Sequence, residues 1–247
     1  MARKFLLFNV AAALMVAAID TSAFAVNAPI VWGNPTTISG DSDVNTDGTL
    51  VAAFNLNGAD VTVNGVTFTG LIYPFMATTV TSGNFTFTES PGHLLAESAF
   101  GSGSAPFSNL SANYQTLLST AMSTDDNNTI TLTMSGLVVG QQYEFQWWLS
   151  DANSPTSGFL TTATATNSVS LDDNTTNTNG GVGQFVIGTF TAAAGGQETI
   201  TFNGIDANNA PTIDALQLRA VPEPSTWAQL MTGAALLGAI IRQKLRR

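Results

Sequence analysis

Two apolar segments with basic residues at their outer ends bracket this 247-residue chain and confine any folded domain to the stretch between them. At the N-terminus, Arg3 and Lys4 precede the apolar run Phe5–Ile19, and the string Ala23-Phe24-Ala25 follows it. A basic, an apolar and a small-residue part in this order are typical of a secretory signal peptide. We expect signal peptidase to remove residues 1–25 after Ala25. An uncleaved N-terminal anchor is the alternative.

The second apolar segment lies close to the C-terminus. Residues 227–241 would give about 22 Å of helix, which is short for a bilayer core of about 30 Å. Basic side chains would have to snorkel to make up the difference. Basic residues follow this segment and none closely precedes it, so the C-terminus should lie in the cytoplasm. These residues are Arg242, Lys244, Arg246 and Arg247. We expect one transmembrane helix over about residues 227–241.

The string Val221-Pro222-Glu223-Pro224-Ser225-Thr226-Trp227 stands directly before this helix. With the apolar run and the basic end, residues 221–247 resemble the PEP-CTERM sorting signal of Gram-negative bacteria. The resemblance implies export, transient anchoring in the inner membrane, and cleavage by an exosortase near Val221, Pro222, Glu223 and Pro224. It also implies a final place at the cell surface or in the extracellular matrix, and no particular activity. An ordinary single-pass anchor without processing is the alternative.

The stretch between the two signals, residues 26–222, is strongly acidic. All acidic residues except Asp20 and Glu223 lie in it, which leaves 15 acids against Arg219 alone and a net charge of −14. Such a surface repels nucleic acid and anionic lipid and attracts divalent cations or polycations. We therefore expect no nucleic-acid partner. The acidity could equally serve only to keep an exported protein soluble.

The ectodomain, residues 26–220, is predicted to be all-β. The chain has no cysteine, so an exported domain must be held together by packing and not by disulfides. Apolar and polar residues alternate in short runs separated by Gly, Asn and Asp clusters, which is typical of a sandwich. Asn64-Gly65 favours a tight hairpin turn within Val61–Phe68. Further strands are predicted at Thr49–Asn55, Asn84–Thr88, Thr129–Met134, Gln142–Leu149, Gln184–Thr191, Glu198–Phe202 and Thr212–Leu218.

One helix and two long loops complete the predicted secondary structure. The helix is expected over Ser111–Ala121, because apolar residues recur every three to four positions and Ser111 can cap it. Glu89–Asn109 and Leu171–Gly183 are rich in Gly, Pro, Asp and Asn, so we expect irregular loops there.

Four segments suggest a more specific architecture. The order of Ile130–Asp151, Gly188–Ala192, Thr199–Phe202 and Ile213–Leu218 resembles the jelly-roll sandwiches of the galactose-binding-like type, which include carbohydrate-binding modules. The resemblance covers about half of the mature chain. It implies a jelly-roll β-sandwich with one short helix, and a carbohydrate-binding function as an expectation, since a fold does not fix a function.

The loop Gly40–Gly48 is the best candidate for a metal site. Asp43, Asn45 and Asp47 match the first half of a D-x-N-x-D-G calcium loop, and oxygen ligands suit a hard cation. Phe54 stands where the twelfth ligand belongs, so another loop would have to complete the site. The sequence predicts a Ca²⁺ site at Asp41, Asp43, Asn45 and Asp47. A solvated turn is the alternative.

The adjacent residues Trp147 and Trp148 should point to opposite faces of their strand. Trp147 alternates with Phe145 and Tyr143 and is predicted to lie in the core. Trp148 is predicted to face outward, where its ring can stack on a sugar. A loop covering that second face is the alternative.

The sequence indicates no catalytic residues. His93 is the only histidine, and no G-x-S-x-G string occurs. Glu89, Glu97 and Glu144 could form a glycosidase pair, but nothing in their spacing selects two of them. The favoured function is a non-enzymatic surface or matrix protein that binds exopolysaccharide. The alternative is an exported polysaccharide-active enzyme, a glycosidase or a lyase.

Overall fold

The computed structural model describes residues 28–89, 91–125, 127–153, 159–205 and 210–222. The predicted signal peptide and the predicted transmembrane helix lie outside these residues. Within the described ranges, no helix is both long enough and apolar enough to cross a membrane.

The described residues form seventeen strands and one α-helix, α1 (Ala112–Leu117). The strands are β1 (Val31–Trp32), β2 (Thr36–Thr37), β3 (Thr49–Leu56), β4 (Val61–Val63), β5 (Val66–Leu71), β6 (Thr79–Ser82), β7 (Phe85–Glu89), β8 (Leu94–Ser98), β9 (Thr120–Thr124), β10 (Thr129–Met134), β11 (Gln142–Leu149), β12 (Leu160–Thr164), β13 (Ser168–Asp172), β14 (Gln184–Thr191), β15 (Glu198–Gly204), β16 (Thr212–Ile213) and β17 (Ala215–Ala220).

Two large sheets and one small sheet contain these strands. The first sheet has the order β1-β14-β11-β17-β3-β5-β4, with β2 also paired to β14. Its β3 and β5 are parallel, and its other neighbours are antiparallel. The second sheet has the order β13-β12-β15-β10-β7-β6, and the small sheet has the order β16-β9-β8.

The main core lies between the two large sheets. Trp147 on β11 meets Phe202 on β15 edge-to-face at 5.2 Å between ring centroids, and Phe54 on β3 meets Phe85 on β7 at the same separation. Both contacts join inward-facing residues of opposite sheets, as expected of a β-sandwich. The prediction that Trp147 is a core residue is confirmed.

A second core covers the outer face of the first sheet. Helix α1 and the preceding turn bring Tyr114, Leu117 and Phe107 against Trp148 and Phe68. All five side chains are buried. The first sheet is therefore apolar on both faces along part of its width, unlike the one-sided pattern that simple alternation predicts.

The predicted strands are largely confirmed, including β11 and β14 with the expected bounds. Asn64 and Gly65 form the hairpin turn with φ of 48° and 75°, the left-handed values that an Asn-Gly turn needs.

Ser111 caps α1 by accepting a hydrogen bond from the Tyr114 N–H at 3.2 Å. The predicted extension of this helix to Ala121 is wrong, because residues 120–124 pair as β9 with β8. Part of the predicted loop Glu89–Asn109 forms β8.

The strands of the first sheet define two poles of the domain. At the exit pole, the Val221 N–H donates to the Gln142 carbonyl at 2.9 Å, and Thr49 pairs with Ala220. At the far pole, the Leu56 N–H donates to the Asp214 carbonyl at 2.9 Å. The eight residues of β11 run from one pole to the other, about 25 Å at 3.3 Å per residue.

Candidate functional site

A cavity of about 190 Å³ opens at the far pole, where β11 ends and β12 begins. Strands of all three sheets contribute to its wall, so the sandwich and the small sheet together position it. Its lining combines apolar rings, hydroxyls and carboxylates, and none of its described lining residues is basic. The residues that carry this chemistry are Phe100, Phe159, Ser123, Thr161, Thr212, Asp151 and Asp173.

Three hydroxyl side chains form one linked wall of the cavity. The Thr161 hydroxyl accepts a hydrogen bond from the Thr212 N–H at 2.9 Å, which joins β12 to β16. The Thr212 hydroxyl in turn donates to the Ser123 hydroxyl at 3.5 Å. Hydroxyls can both donate and accept, so this wall can adapt to either role in a ligand.

Two acidic residues and one aromatic residue form another part of the lining. The Asp151 N–H donates to the Asp173 carbonyl at 2.8 Å, and the Asp173 N–H donates to the Phe159 carbonyl at 3.2 Å. One Asp151 carboxylate oxygen accepts the Asn153 N–H at 2.9 Å. These main-chain hydrogen bonds fix the positions of Asp151, Asp173 and Phe159 relative to one another. Phe159 keeps 37% of its surface exposed, so its ring is accessible.

Close backbone packing at Gly183 supports the same wall. A Cβ atom at this position would lie 2.0 Å from the Leu149 carbonyl oxygen and 2.6 Å from that of Asp173. Only glycine allows the 172–183 loop to approach β11 this closely.

Asp214 is buried in the same region of the fold. Its N–H donates to the Trp148 carbonyl at 3.1 Å, and neither carboxyl oxygen makes a well-formed hydrogen bond. Burial raises the pKa of Asp214 well above its usual range, and the charges of Asp151 and Asp173 raise it further, while the Ser150 backbone N–H acts in the opposite direction. Burial therefore disfavours the charged carboxylate here relative to an exposed aspartate.

The predicted calcium ligands do not converge. The Asp43 carboxylate accepts hydrogen bonds from the Ser39 N–H, the Gly40 N–H and two hydroxyls. These bonds stabilise the turn that contains Asp43. Asp41 accepts from the Ser111 hydroxyl, and Asn45 bonds to Glu144 and to the Asp47 N–H. Among the described residues, no three Asp, Glu or His side chains form a group that could hold a metal ion. The predicted cluster at Asp41, Asp43, Asn45 and Asp47 is therefore not formed.

The cation that holds this loop is Arg219. Its Nε donates to the Asp47 carbonyl at 2.6 Å, and one terminal nitrogen donates to the carbonyls of Thr46 and Gly48 at 2.9 and 3.1 Å. Burial lowers the pKa of Arg219, while the nearby Glu144 and Asp47 carboxylates raise it. The only basic residue between the two terminal signals is thus used to fasten the acidic loop to β17.

The prediction that Trp148 faces outward to bind a sugar is wrong. Trp148 is fully buried, and its indole N–H donates to the Tyr114 hydroxyl at 2.9 Å. Its ring meets Phe68 edge-to-face at 5.6 Å. Trp147 and Trp148 do point to opposite faces of β11, as predicted, but α1 covers the face on which Trp148 lies.

The other titratable residues singled out in the sequence lie apart from the cavity lining. His93 contacts Asp125, with 3.2 Å between ring nitrogen and carboxylate, and burial followed by the Asp125 charge raises the pKa of Glu89 nearby. Glu97 lies on β8, and Glu144 lies beside the loop held by Arg219. Glu89 on β7, Glu97 on β8 and Glu144 on β11 each belong to a different one of the three sheets.

The cavity residues could not be identified from the sequence, because no local motif distinguishes them from other loop and strand residues. Asp173 belongs to an Asp-Asp-Asn turn that looks like any solvated loop. Phe159 is a single aromatic residue beside a Gly- and Ser-containing segment. An aromatic residue next to such a segment is the one signal in the sequence that could have indicated a ring in a binding loop.

No protein-family model and no curated protein matches the chain. Solved structures that it resembles include the extracellular domain of ANXUR1 from Arabidopsis thaliana, at 13% identity and a TM-score of 0.46. That match covers 68% of this chain and 47% of ANXUR1, so the chain spans about half of that domain. The enzymatically active domain of tailspike protein 4 from bacteriophage CBA120 matches at 12% identity over 56% of this chain and 20% of its own, with a TM-score of 0.33. A carbohydrate-binding module of the β-sandwich superfamily matches at 12% identity over 75% and 97%, with a TM-score of 0.17. These likenesses are too distant to carry a functional argument.

Proposed function

We propose that this chain is an exported, non-enzymatic surface or matrix protein whose far-pole cavity binds exopolysaccharide. One observation carries the proposal: an accessible aromatic ring, linked hydroxyls and two carboxylates line one small cavity. Sugars present an apolar ring face together with hydroxyl groups. An aromatic side chain can stack on the ring face, and carboxylates and hydroxyls can form hydrogen bonds with the sugar hydroxyls.

The size and charge of the cavity narrow the ligand class. At about 190 Å³ it is smaller than the roughly 300–1,000 Å³ of typical drug-sized sites, so it would hold one sugar unit of a chain. Asp151 and Asp173 favour neutral or amino sugars and repel uronic acids. Polyanionic polymers would bind such a domain only through a bridging divalent cation.

The terminal segments supply the proposed route to the cell surface. Signal peptidase would remove residues 1–25, and the inner membrane would hold residues 227–241 until an exosortase cleaves near Pro222-Glu223-Pro224. The source would be a Gram-negative bacterium. The galactose-binding-like jelly roll remains the proposed identity of the β-sandwich.

Processing at both ends is expected to leave a defined C-terminus. Val221 is tied to β11, since its N–H donates to Gln142 and its carbonyl accepts the Gln141 side-chain amide. We therefore expect cleavage beyond Val221. Intact-mass spectrometry of the exported protein should show the loss of the first 25 residues and of about two dozen at the end. Full-length chain recovered outside the cell would refute this processing.

The enzyme alternative also has an observation in its favour. Asp151 and Asp173 line the same cavity, and a pair of carboxylates is the basis of most glycoside hydrolysis. We propose binding without cleavage, because the sugar-sized apolar and hydroxyl wall accounts for binding without any catalytic role for the two acids. Release of reducing ends from a bound polysaccharide, lost in Asp151→Asn, would overturn that choice.

Phe159→Ala is expected to weaken glycan binding by about tenfold or more, because it removes the ring face of the cavity. The measurement is a glycan-binding screen of residues 26–222, with and without calcium, followed by titration of the best neutral or amino-sugar ligand. Phe75→Ala is the matched control, since Phe75 is an exposed phenylalanine of the same pole outside the cavity lining.

Equal losses in Phe159→Ala and Phe75→Ala would contradict a site in the cavity. Calcium-free binding of a polyanion stronger than that of any neutral glycan would contradict the charge argument.

A further inference from the structure

The exposed large apolar side chains of the described residues fall into two groups, one at each pole. Near the far pole lie Ile72, Phe75, Met76, Phe159 and Ile205. Near the exit pole lie Val31, Leu50, Val51, Val138 and Val139. The first group lies around the cavity and the end of β5. The second has no role in the binding site proposed above.

The exit-pole group surrounds the point where the chain leaves the domain. Leu50 pairs with Arg219, two residues before Val221. The Val138 N–H donates to the Tyr143 hydroxyl at 2.9 Å, and the Gln141 side chain donates to the Val221 carbonyl. The last described residue, Pro222, therefore emerges from an apolar rim, which we define by Leu50, Val51, Val138 and Val139.

Three of the turns at this pole carry no charge. Residues 82–84, 135–141 and 192–197 contain no acidic or basic residue. Backbone hydrogen bonds from Ser135 to Asn84, from Leu137 to Gly196 and from Gly140 to Ala192 join these three turns into one surface. Among the acids of the neighbouring strands, Glu198 is buried and accepts the Ala28 N–H, and Glu144 lies beside Arg219. Asp47, in the loop before Leu50, is exposed, and the positive charge of Arg219 lies beside it.

The far pole has the opposite character. Its turns and strand ends hold many of the described acids, including Asp60, Glu89, Asp125, Asp151, Asp172 and Asp173. A domain with a net charge of −14 thus keeps one apolar end with few charges, where Arg219 lies beside Asp47 and Glu144, and that end is where the chain exits. An anionic membrane surface would repel the far pole more strongly than the exit pole.

The length of chain beyond Pro222 makes contact with a bilayer possible. Only residues 223–226 separate Pro222 from the start of the predicted transmembrane segment at Trp227. Five residue steps span at most about 17 Å when fully extended. The rim is therefore held close to the lipid, and ordering it there costs little additional chain entropy.

We propose that, in the anchored precursor, the apolar rim at the exit pole rests on the lipid bilayer and points the glycan cavity away from the membrane. This inference rests on the proposed anchoring by residues 227–241. Partly exposed valine and leucine side chains would enter the interfacial layer, while the acidic pole stays in water.

The absence of cysteine allows a direct test on the full chain. Val138→Cys and Phe75→Cys each introduce one thiol for an environment-sensitive fluorophore, and the two native side chains are equally exposed at 66%. The labelled chains are reconstituted into phosphatidylcholine vesicles that carry a lipid-attached quencher. We expect the label at position 138 to lose most of its fluorescence and the label at position 75 to lose almost none. Adding Val139→Asp should restore the fluorescence at 138.

Equally weak quenching at both positions, in protein that floats with the vesicles, would overturn the docking and leave the anchoring intact. Failure of the full chain to float with vesicles would overturn both. Glycan binding by residues 26–222 is measured separately and does not depend on either result.

Discussion

Trp148→Ala is expected to lower the free energy of unfolding of the ectodomain by about 3–5 kcal/mol, as for other large aromatic side chains removed from a core. The indole is fully buried between the first sheet and α1, so its removal leaves a cavity among Phe68, Tyr114 and Phe185. It also removes the donor to the Tyr114 hydroxyl. Chemical denaturation of residues 26–222 measures the loss.

Trp148→Phe is the matched control for this effect. It keeps an aromatic ring on the same face and removes the indole N–H, so we expect a smaller loss than for alanine. A change below about 1 kcal/mol in Trp148→Ala is the size expected of an exposed site. Such a result would show that Trp148 faces solvent and would restore it as a sugar-binding candidate.

Arg219→Ala is expected to destabilise the domain by about 3 kcal/mol, because it removes a charged donor shared by three carbonyls, and hydrogen bonds to charged groups contribute about 1.5–3 kcal/mol. The carbonyls of Thr46, Asp47 and Gly48 would lose their shared donor. Glu144 would lose its nearby positive charge. We expect the Gly40–Gly48 loop to detach from β17, which limited proteolysis and denaturant unfolding together would detect.

Arg219→Lys separates charge from geometry in this network. A lysine keeps the positive charge but cannot present the planar set of donors that reaches three carbonyls. We therefore expect a stability between those of the wild-type protein and Arg219→Ala. If Arg219→Ala is as stable as the wild type, or if calcium raises the melting temperature and Asp43→Ala abolishes that rise, the loop is held by a metal ion instead.

Sequence patterns predicted the strands with strong alternation and missed those without it. β10, β11 and β14 combine β-branched or aromatic residues with a period of two, so their positions follow from the pattern. β8, β9, β12 and β13 contain many Ala, Ser and Thr residues, whose pairing depends on neighbouring strands. Thr120 and Ala121 fit a helical pattern as well, and pairing with β8 decided against it.

The candidate site was harder to predict than the fold, for a related reason. The cavity joins Ser123, Asp151, Phe159, Asp173 and Thr212, which are separated by up to 89 positions in the chain and meet only when three sheets assemble. The role of Arg219 in the Gly40–Gly48 loop was missed for the same reason. Arg219 on β17 donates to the carbonyls of Thr46, Asp47 and Gly48 in the folded domain, and no local motif indicates that contact.

Amide chemical shifts of ¹⁵N-labelled residues 26–222 show whether sugars bind in the far-pole cavity. The domain is titrated with glucose, galactose and glucosamine as single-sugar probes. We predict that shifts concentrate on the amides of Ser123, Asp151, Phe159, Thr161 and Thr212, and that Phe159→Ala weakens the fitted affinity by about tenfold or more. Shifts centred on the exit pole, or no saturable shift with any of the three sugars, would contradict the cavity as a glycan site.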